Sequence, residues 1–213
     1  MSKDIIVRVC MGTRGRAAGS REVMAAFEDE FARLDIEADL GARCAAKQVG
    51  CRGLCARDVL VDVSVDGMEA TYQYISPDKV PKLVDQHIVH HKPVREWLVG
   101  QEYHNFLSQQ EKAVLALNGI IDPEDINDYL AVGGYAGMAR VLKEMAQDEV
   151  IELIKDSGLR GRGGGGFPTG IKWRTCRDMK TEPRYLVCNA DEGDPGAFMD
   201  RSLIEGNPHM ILE

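Results

Sequence analysis

The apolar and polar positions of this chain fall into two regimes: period-two alternation in the first third, and helical spacing over most of the rest. Ile5 to Val9 alternates as a strand does and runs into Cys10, Met11, Gly12 and Thr13. After Gly19, residues 21–34 place Val23, Phe27, Phe31 and Leu34 at helical spacing, with Ser20 positioned as the cap. A second strand is expected near Ala38 to Cys44. Val59 to Val65 alternates again, Asp66-Gly67 turns the chain, and a further strand passes through Tyr72 and Tyr74. Pro77 to Val89 closes the unit as a helix, so the predicted order is β-α-β-β-β-α.

His90, His91, Lys92 and Pro93 mark the end of this first domain, and Val94 to Val99 reads as a connector. His87, His90 and His91 read as a solvated linker, because no cysteine or carboxylate pair at ligand spacing accompanies them. Tyr103 to Leu117 is amphipathic. Asp122-Pro123-Glu124-Asp125 is expected to start a short helix with proline in its first position and acids at its positive end. Gly133 and Gly134 break one helix, and Tyr135 begins another. Val150, Ile151, Leu153 and Ile154 belong to a further helix. Tyr185-Leu186-Val187-Cys188 reads as a buried strand that delivers Asn189, Asp191 and Glu192 at its carboxyl end, where open α/β sheets bind ligands. The pattern predicts three segments: 1–92, a helical linker over 93–120, and 121–213.

Composition narrows the function. A chain of 213 residues with 44% hydrophobic content is globular. A net charge of -8 argues against nucleic acid as a partner, since backbone-phosphate binding needs a basic face. No apolar run approaches the roughly 20 residues that span a bilayer, and Met1 to Val9 lacks a signal-peptide core, so a cytoplasmic protein is expected. In that setting the six cysteines are metal ligands or ordinary thiols rather than a disulfide framework.

The strongest chemical signal is Ser157 to Trp173, SGLRGRGGGGFPTGIKW. Four consecutive glycines remove every Cβ from one face of a loop, which lets backbone N–H groups approach an anion closely. Arg160 and Arg162 supply guanidinium forks and Lys172 a point charge, a set suited to phosphate or pyrophosphate. A flexible linker does not account for Phe167, Pro168 and Trp173 directly after the glycines. The segment before the loop is helical rather than a strand, and no G-K-[ST] ending follows, so this is neither a Rossmann fingerprint nor a Walker loop.

Cys51-Arg52-Gly53-Leu54-Cys55, with Cys10 at the end of the first strand, fits thiolate ligation of a small iron–sulfur cluster. The amino-terminal stretch resembles the thioredoxin-like 2Fe-2S ferredoxin domains, which place two ligands after the first strand and two in the C-x3-C loop. Cys10, Cys51 and Cys55 match; at the remaining position stand Arg14, Gly15 and Arg16. Two readings follow. Either Cys44 or a partner residue completes a 2Fe-2S site, or the cluster has been lost and the domain serves docking or structure. The second is favoured, with Cys44 an ordinary small buried residue.

From about Gln101 onward, YLAVGGYAGMARVLKEM, the glycine loop and YLVCNADEGDPG together resemble the flavin- and NADH-binding subunit family of respiratory complex I, NAD-dependent hydrogenases and formate dehydrogenases. The resemblance implies an α/β protein: a thioredoxin-like domain, a helical linker and the first part of an FMN/NADH-binding α/β domain. It implies FMN held among Gly161, Arg162, Gly163, Gly164, Lys172, Asn189, Asp191 and Glu192. NAD(H) would stack over the flavin, with Phe167 near its rings and Glu192 or Asp194 on its polar groups. Asp194 stands where the family has Glu, one methylene shorter. Cys176 and Cys188 are expected to be structural. The implied function is electron input, NADH oxidation or NAD reduction through FMN, to iron–sulfur subunits of a hydrogenase, formate dehydrogenase or bifurcating complex. The family's flavin domain and 4Fe-4S domain continue beyond the segment ending at Glu213, so a truncated chain is expected; a non-catalytic docking subunit is the alternative.

Overall fold

The computed structural model describes residues 4–36 and 43–213. The chain divides into two compact units, Met1–Val132 with Asp191–Leu212, and Gly133–Ala190 with Glu213.

The first unit is built on β1 (Asp4–Cys10), α1 (Thr13–Ala17), α2 (Ser20–Arg33), β2 (Arg43–Val49), β3 (Val61–Val65), β4 (Met68–Tyr72) and α3 (Val80–Leu83), which runs on as a π-helical turn over Val84–Val89. Among the described residues the strands form one sheet in the order β2-β1-β3-β4. β1 is parallel to β2 and antiparallel to β3, and β3 and β4 form a hairpin through Asp66-Gly67, both at positive φ. This mixed order is that of a thioredoxin-like α/β sheet. The predicted second strand shifts: 38–42 lie outside the described residues, and β2 begins at Arg43.

Period two explains the two faces of the sheet. Ile5, Val7 and Val9 share one face with Val61, Val63 and Val65, where Val23 and Phe27 of α2 and Val80, Leu83, Val84 and Ile88 cover them. Burying side chains of this size stabilises the fold by about 1.5–3 kcal/mol each. The opposite face carries Cys10 and Leu60 under Val99 and, from α4 (Gln101–Ser108), Tyr103.

Several local expectations change. Gly19, in the left-handed region at φ 99°, caps α2, while the Ser20 hydroxyl turns inward to donate to the Cys10 carbonyl at 2.7 Å. Residues 94–99 do not merely connect: Leu98 bridges to Tyr72, and Val99 N–H donates to Thr71 O at 3.0 Å, so the segment extends the sheet edge. His87 is not a solvated linker residue. It is buried, and its Nδ1 lies 2.9 Å from Tyr72 Oη, which in turn accepts from Val94 N–H at 3.2 Å. Burial, and then the neighbouring His91, push its pKa down. The predicted helix 103–117 stops at Ser108, where Gln109 to Lys112 offer no apolar position for a further turn. α5 (Ile126–Ala131) starts three residues after Pro123, capped by Asp125, whose carboxylate accepts from Asn127 N–H at 2.9 Å.

The second unit holds α6 (Ala136–Glu144), α7 (Gln147–Asp156) and α8 (Thr169–Asp178). Tyr135, at φ 61°, caps α6 after the glycine break, as the sequence predicts. α7 and α8 pack through Gly170, where a Cβ would lie 2.6 Å from Lys155 Cα. Arg174 of α8 pairs with Asp148 and Glu152 of α7 at 2.5 and 3.1 Å. The strand expected at Tyr185–Cys188 is absent. The segment takes no regular structure and is unpaired among the described residues, and Leu186 is 99% exposed, because no neighbouring strand is there to take up its backbone groups.

The chain then returns to the first unit as α9 (Met199–Gly206) and α10 (Pro208–Leu212). Gly50 makes the approach possible: a Cβ there would meet Gly206 Cα at 2.3 Å. No helix among the described residues is long and apolar enough to cross a membrane.

Candidate functional site

The glycine loop is a closed hairpin on the second unit. Gly161 N–H donates to Phe167 O at 3.0 Å, Thr169 N–H to Leu159 O at 2.9 Å, and Arg160 bridges to Pro168. Between these ties the chain runs through Gly164 at φ 119° and Gly166 at φ 58°, conformations that favour glycine. A Cβ built on Gly163, Gly164, Gly165 or Gly166 would meet nothing within 4 Å. The N–H groups of these four glycines donate to no acceptor among the described residues. An open arc of unused donors on a closed base has the chemistry of an anion cradle, and it fits the phosphate of a flavin nucleotide.

The cations are arranged differently from the expectation. Arg160 donates to Gly166 O at 3.1 Å, and Arg162 donates to Arg160 O and Gly161 O at 2.7 and 3.3 Å. Both guanidinium groups therefore brace the loop from within while leaving N–H groups over for a ligand. Lys172 lies exposed in the first turn of α8, and Phe167 and Trp173 are half-exposed beside the loop.

The acidic stretch is shared between the units. Asn189 belongs to the second unit, whereas Asp191, Glu192 and Asp194 belong to the first. Both carboxylate oxygens of Glu192 accept backbone bonds, from Asp200 N–H at 3.0 Å and Arg201 N–H at 3.2 Å, capping α9. Burial alone would raise its pKa; these N–H groups and that of Met199 outweigh it and hold the carboxyl below its usual range. Asp194 is exposed, and its carbonyl accepts from Ala197 N–H at 3.0 Å in a turn. Cys176 and Cys188 are exposed thiols and take no part in a core, contrary to a structural role.

Cys10, Cys51 and Cys55 meet at one end of the sheet. Cys51 Sγ lies 3.5 Å from Cys55 Sγ and accepts from Gly53 N–H at 3.4 Å. Gly12 makes room for it, since a Cβ there would fall 2.7 Å from Cys51 Cβ. The loop is anchored by Arg52, whose guanidinium pairs with buried Asp62, itself bonded by Thr71 Oγ1 at 2.7 Å. Sequence reasoning missed two further supports, both on segments far along the chain. Asn118 Nδ2 donates to Cys51 O at 3.2 Å and to Ser202 O at 2.9 Å, and Glu205 of α9 accepts from Thr13 N–H at 3.2 Å. The neighbouring Cys51, and then burial, push the Cys10 thiol up, while Cys10 and the Gly53 N–H hold Cys51 down against its burial. Burial, then the neighbouring Cys51, push the Asp58 carboxyl up to about 6.

A four-thiolate cluster does not fit these residues. Cys44 pairs in register with Ile5 while Cys10 pairs with Val49, so Cys44 stands about 17 Å along the strands from the trio. At the position of the missing ligand, Gly15 is packed against the Cys10 carbonyl and Arg16 is committed to Met11 O at 3.0 Å and Glu124 at 2.5 Å. No group of three or more His, Cys, Asp or Glu side chains among the described residues is arranged to hold a metal ion.

Comparison with known proteins adds to this geometry. Residues 154–213 match the family model described as the Nuo51 FMN-binding domain. The match begins in α7 and takes in the glycine loop, α8 and the acidic stretch. The chain is 59% identical over 95 residues to the NADP-reducing hydrogenase subunit HndC of Solidesulfovibrio fructosivorans, covering 45% of this chain and 19% of that protein. It is 46% identical over 103 residues to an NADH-quinone oxidoreductase subunit of Rhizobium meliloti (strain 1021), covering 48% and 24%. With an NADH-quinone oxidoreductase subunit of Escherichia coli (strain K12) it shares 44% identity over 92 residues, covering 43% and 21%. The chain thus spans a quarter or less of the length of these relatives. Among solved structures, the thioredoxin-like [2Fe-2S] ferredoxin from Aquifex aeolicus aligns with 46% of this chain and 99% of its own at 23% identity and TM-score 0.40. An NAD+-reducing [NiFe]-hydrogenase aligns with 96% of this chain and 33% of its own at 24% identity and TM-score 0.35. At TM-scores below 0.5 the fold assignment rests on the strand order itself.

Proposed function

We propose that this chain is part of the electron-input flavoprotein subunit of an NADH-linked oxidoreductase complex. The observation that carries the reading is the closed glycine hairpin with four unused N–H donors, inside the segment that matches an FMN-binding domain. The N–H groups of Gly163 to Gly166 hold the FMN phosphate, with Gly161 and Arg162 at the base of the loop, and Lys172 neutralises the phosphate charge. Asn189 and Asp191 exchange hydrogen bonds with ribityl hydroxyls. Phe167 offers a half-exposed ring against which a planar heterocycle stacks. Asp194 and Glu192 serve the polar groups of NAD(H), and Glu192 does so only by exchanging its bonds to α9. Bound FMN supplies acceptance of a hydride from NADH and onward release of single electrons; the protein supplies binding, orientation and exclusion of water.

The partners of this reading are iron–sulfur subunits of a hydrogenase, formate dehydrogenase or bifurcating complex, in the cytoplasm. The functional division is 1–92, thioredoxin-like; 93–120, linker; and 121–213, flavin-domain portion. The test is FMN affinity of the native subunit that contains this chain, read by quenching of flavin fluorescence. Removing the charge in Lys172→Ala is expected to weaken binding about tenfold, the loss of one charge-assisted contact of about 1.5 kcal/mol. Unchanged affinity, or native subunit isolated without stoichiometric flavin, would favour a docking role instead.

A further inference from the structure

The C-x3-C loop keeps two sulfurs together at a place where the cluster that would explain them lacks its fourth thiolate. We propose that Cys51 and Cys55 form a reversible disulfide, making this end of the thioredoxin-like sheet a two-electron thiol switch that takes low-molecular-weight disulfides as oxidant.

The geometry carries this. The two sulfurs are 3.5 Å apart within one five-residue loop, so a small side-chain rotation brings them to bonding distance. Cys55 is partly exposed while Cys51 is buried, which gives the pair one sulfur that meets an oxidant and one that resolves it. Gly53 N–H points at Cys51 Sγ, where it stabilises a thiolate. Gly12 and Gly53 leave the sulfurs free of backbone crowding: a Cβ at Gly53 meets nothing within 4 Å, and Gly12 has none to collide with Cys51. The Arg52–Asp62 pair holds the loop to the sheet from inside the ring that the disulfide would close, so oxidation does not require the loop to leave its seat. Cys10 is the most buried of the three, bonded at long range to Gly50 O, and stays reduced.

The chemistry balances. The partly exposed Cys55, on losing its proton, attacks a small disulfide RSSR, forming Cys55–S–S–R and releasing RS⁻. The Cys51 thiolate then attacks Cys55 Sγ, forming the intramolecular disulfide and expelling a second RS⁻. Two protons leave the protein thiols, two electrons reduce RSSR to two thiols, and no metal takes part.

The test uses the full chain, reduced and handled without oxygen, then equilibrated in buffers of reduced and oxidised dithiothreitol. Remaining thiols are alkylated with iodoacetamide in denaturant and mapped by peptide mass spectrometry. Trypsin cuts after Arg52, inside the ring, so the oxidised form leaves two peptides joined by the disulfide. Cys51 and Cys55 are expected to lose alkylation together in a single two-electron transition, with Cys10 alkylated throughout. Cys55→Ser, which is nearly isosteric, is expected to keep Cys51 alkylated at every ratio. A Cys10–Cys51 peptide, or full alkylation across the range, refutes the switch. Stoichiometric iron and acid-labile sulfide in the native chain, lost on Cys51→Ser, refutes it in favour of a cluster. None of these outcomes depends on flavin binding, so they leave the flavoprotein reading where it stands.

Discussion

Tyr72→Phe isolates one buried polar network that holds the first unit together. The Tyr72 hydroxyl is fully buried; it accepts from Val94 N–H at 3.2 Å and lies 2.9 Å from His87 Nδ1. Phenylalanine preserves the ring and its edge contact with the imidazole, centroids 5.7 Å apart, and removes only the oxygen. Two buried groups then lose their partner, each at about 1–3 kcal/mol, for a total of about 3 kcal/mol. The assay is native-state hydrogen exchange of the Val7 and Val63 amides in the full chain, since both lie at the centre of the sheet and report opening of this unit alone. A loss under about 0.5 kcal/mol would refute the argument, because it would mean that water or a local shift satisfies both groups. Tyr72→Phe/His87→Leu should recover about 1 kcal/mol relative to the sum of the single changes, as the orphaned imidazole nitrogen is gone. The pH dependence has a definite sign. His87 has its pKa lowered by burial, so its contribution is fully present above the unfolded value of about 6.5 and is lost as pH falls through the lower folded value.

Two other changes probe the elements around the candidate sites. Gly170→Ala should separate α7 from α8 at a cost of about 2 kcal/mol or more, since the new Cβ would lie 2.6 Å from the Lys155 backbone; faster tryptic cleavage at Lys155 and Arg174 reads it, and unchanged cleavage would count against the packing. Arg52→Ala should leave the Asp62 carboxylate buried without its cation, at about 3 kcal/mol, and should speed native alkylation of Cys51 at least about tenfold as the loop loosens. Equal alkylation rates would show that Asn118 and Gly12 hold the loop without it.

What the sequence determined by itself is whatever depends on near neighbours. Period-two apolar positions placed β1, β3 and β4, helical spacing placed α2, α6 and α7, and the glycine pair ended the helix before Tyr135, because these are choices of local backbone and of which face is apolar. The glycine run announced an open loop with exposed N–H groups because the absence of Cβ is a property of composition. Tertiary structure decided what depends on distant partners. Tyr185 to Cys188 has the composition of a buried strand, yet a strand exists only where another supplies its hydrogen bonds, and here it stays exposed. Ser20 reads as a cap but serves the Cys10 carbonyl, and His87 reads as linker but fills the core, since burial depends on what packs from elsewhere. The vacancy near Arg16 was legible; that Cys44 cannot fill it needed the register of β1 against β2. Asn118, Ser202 and Glu205 carried no signal at all, because nothing in their own neighbourhoods of the sequence says that the chain returns to the cysteine loop.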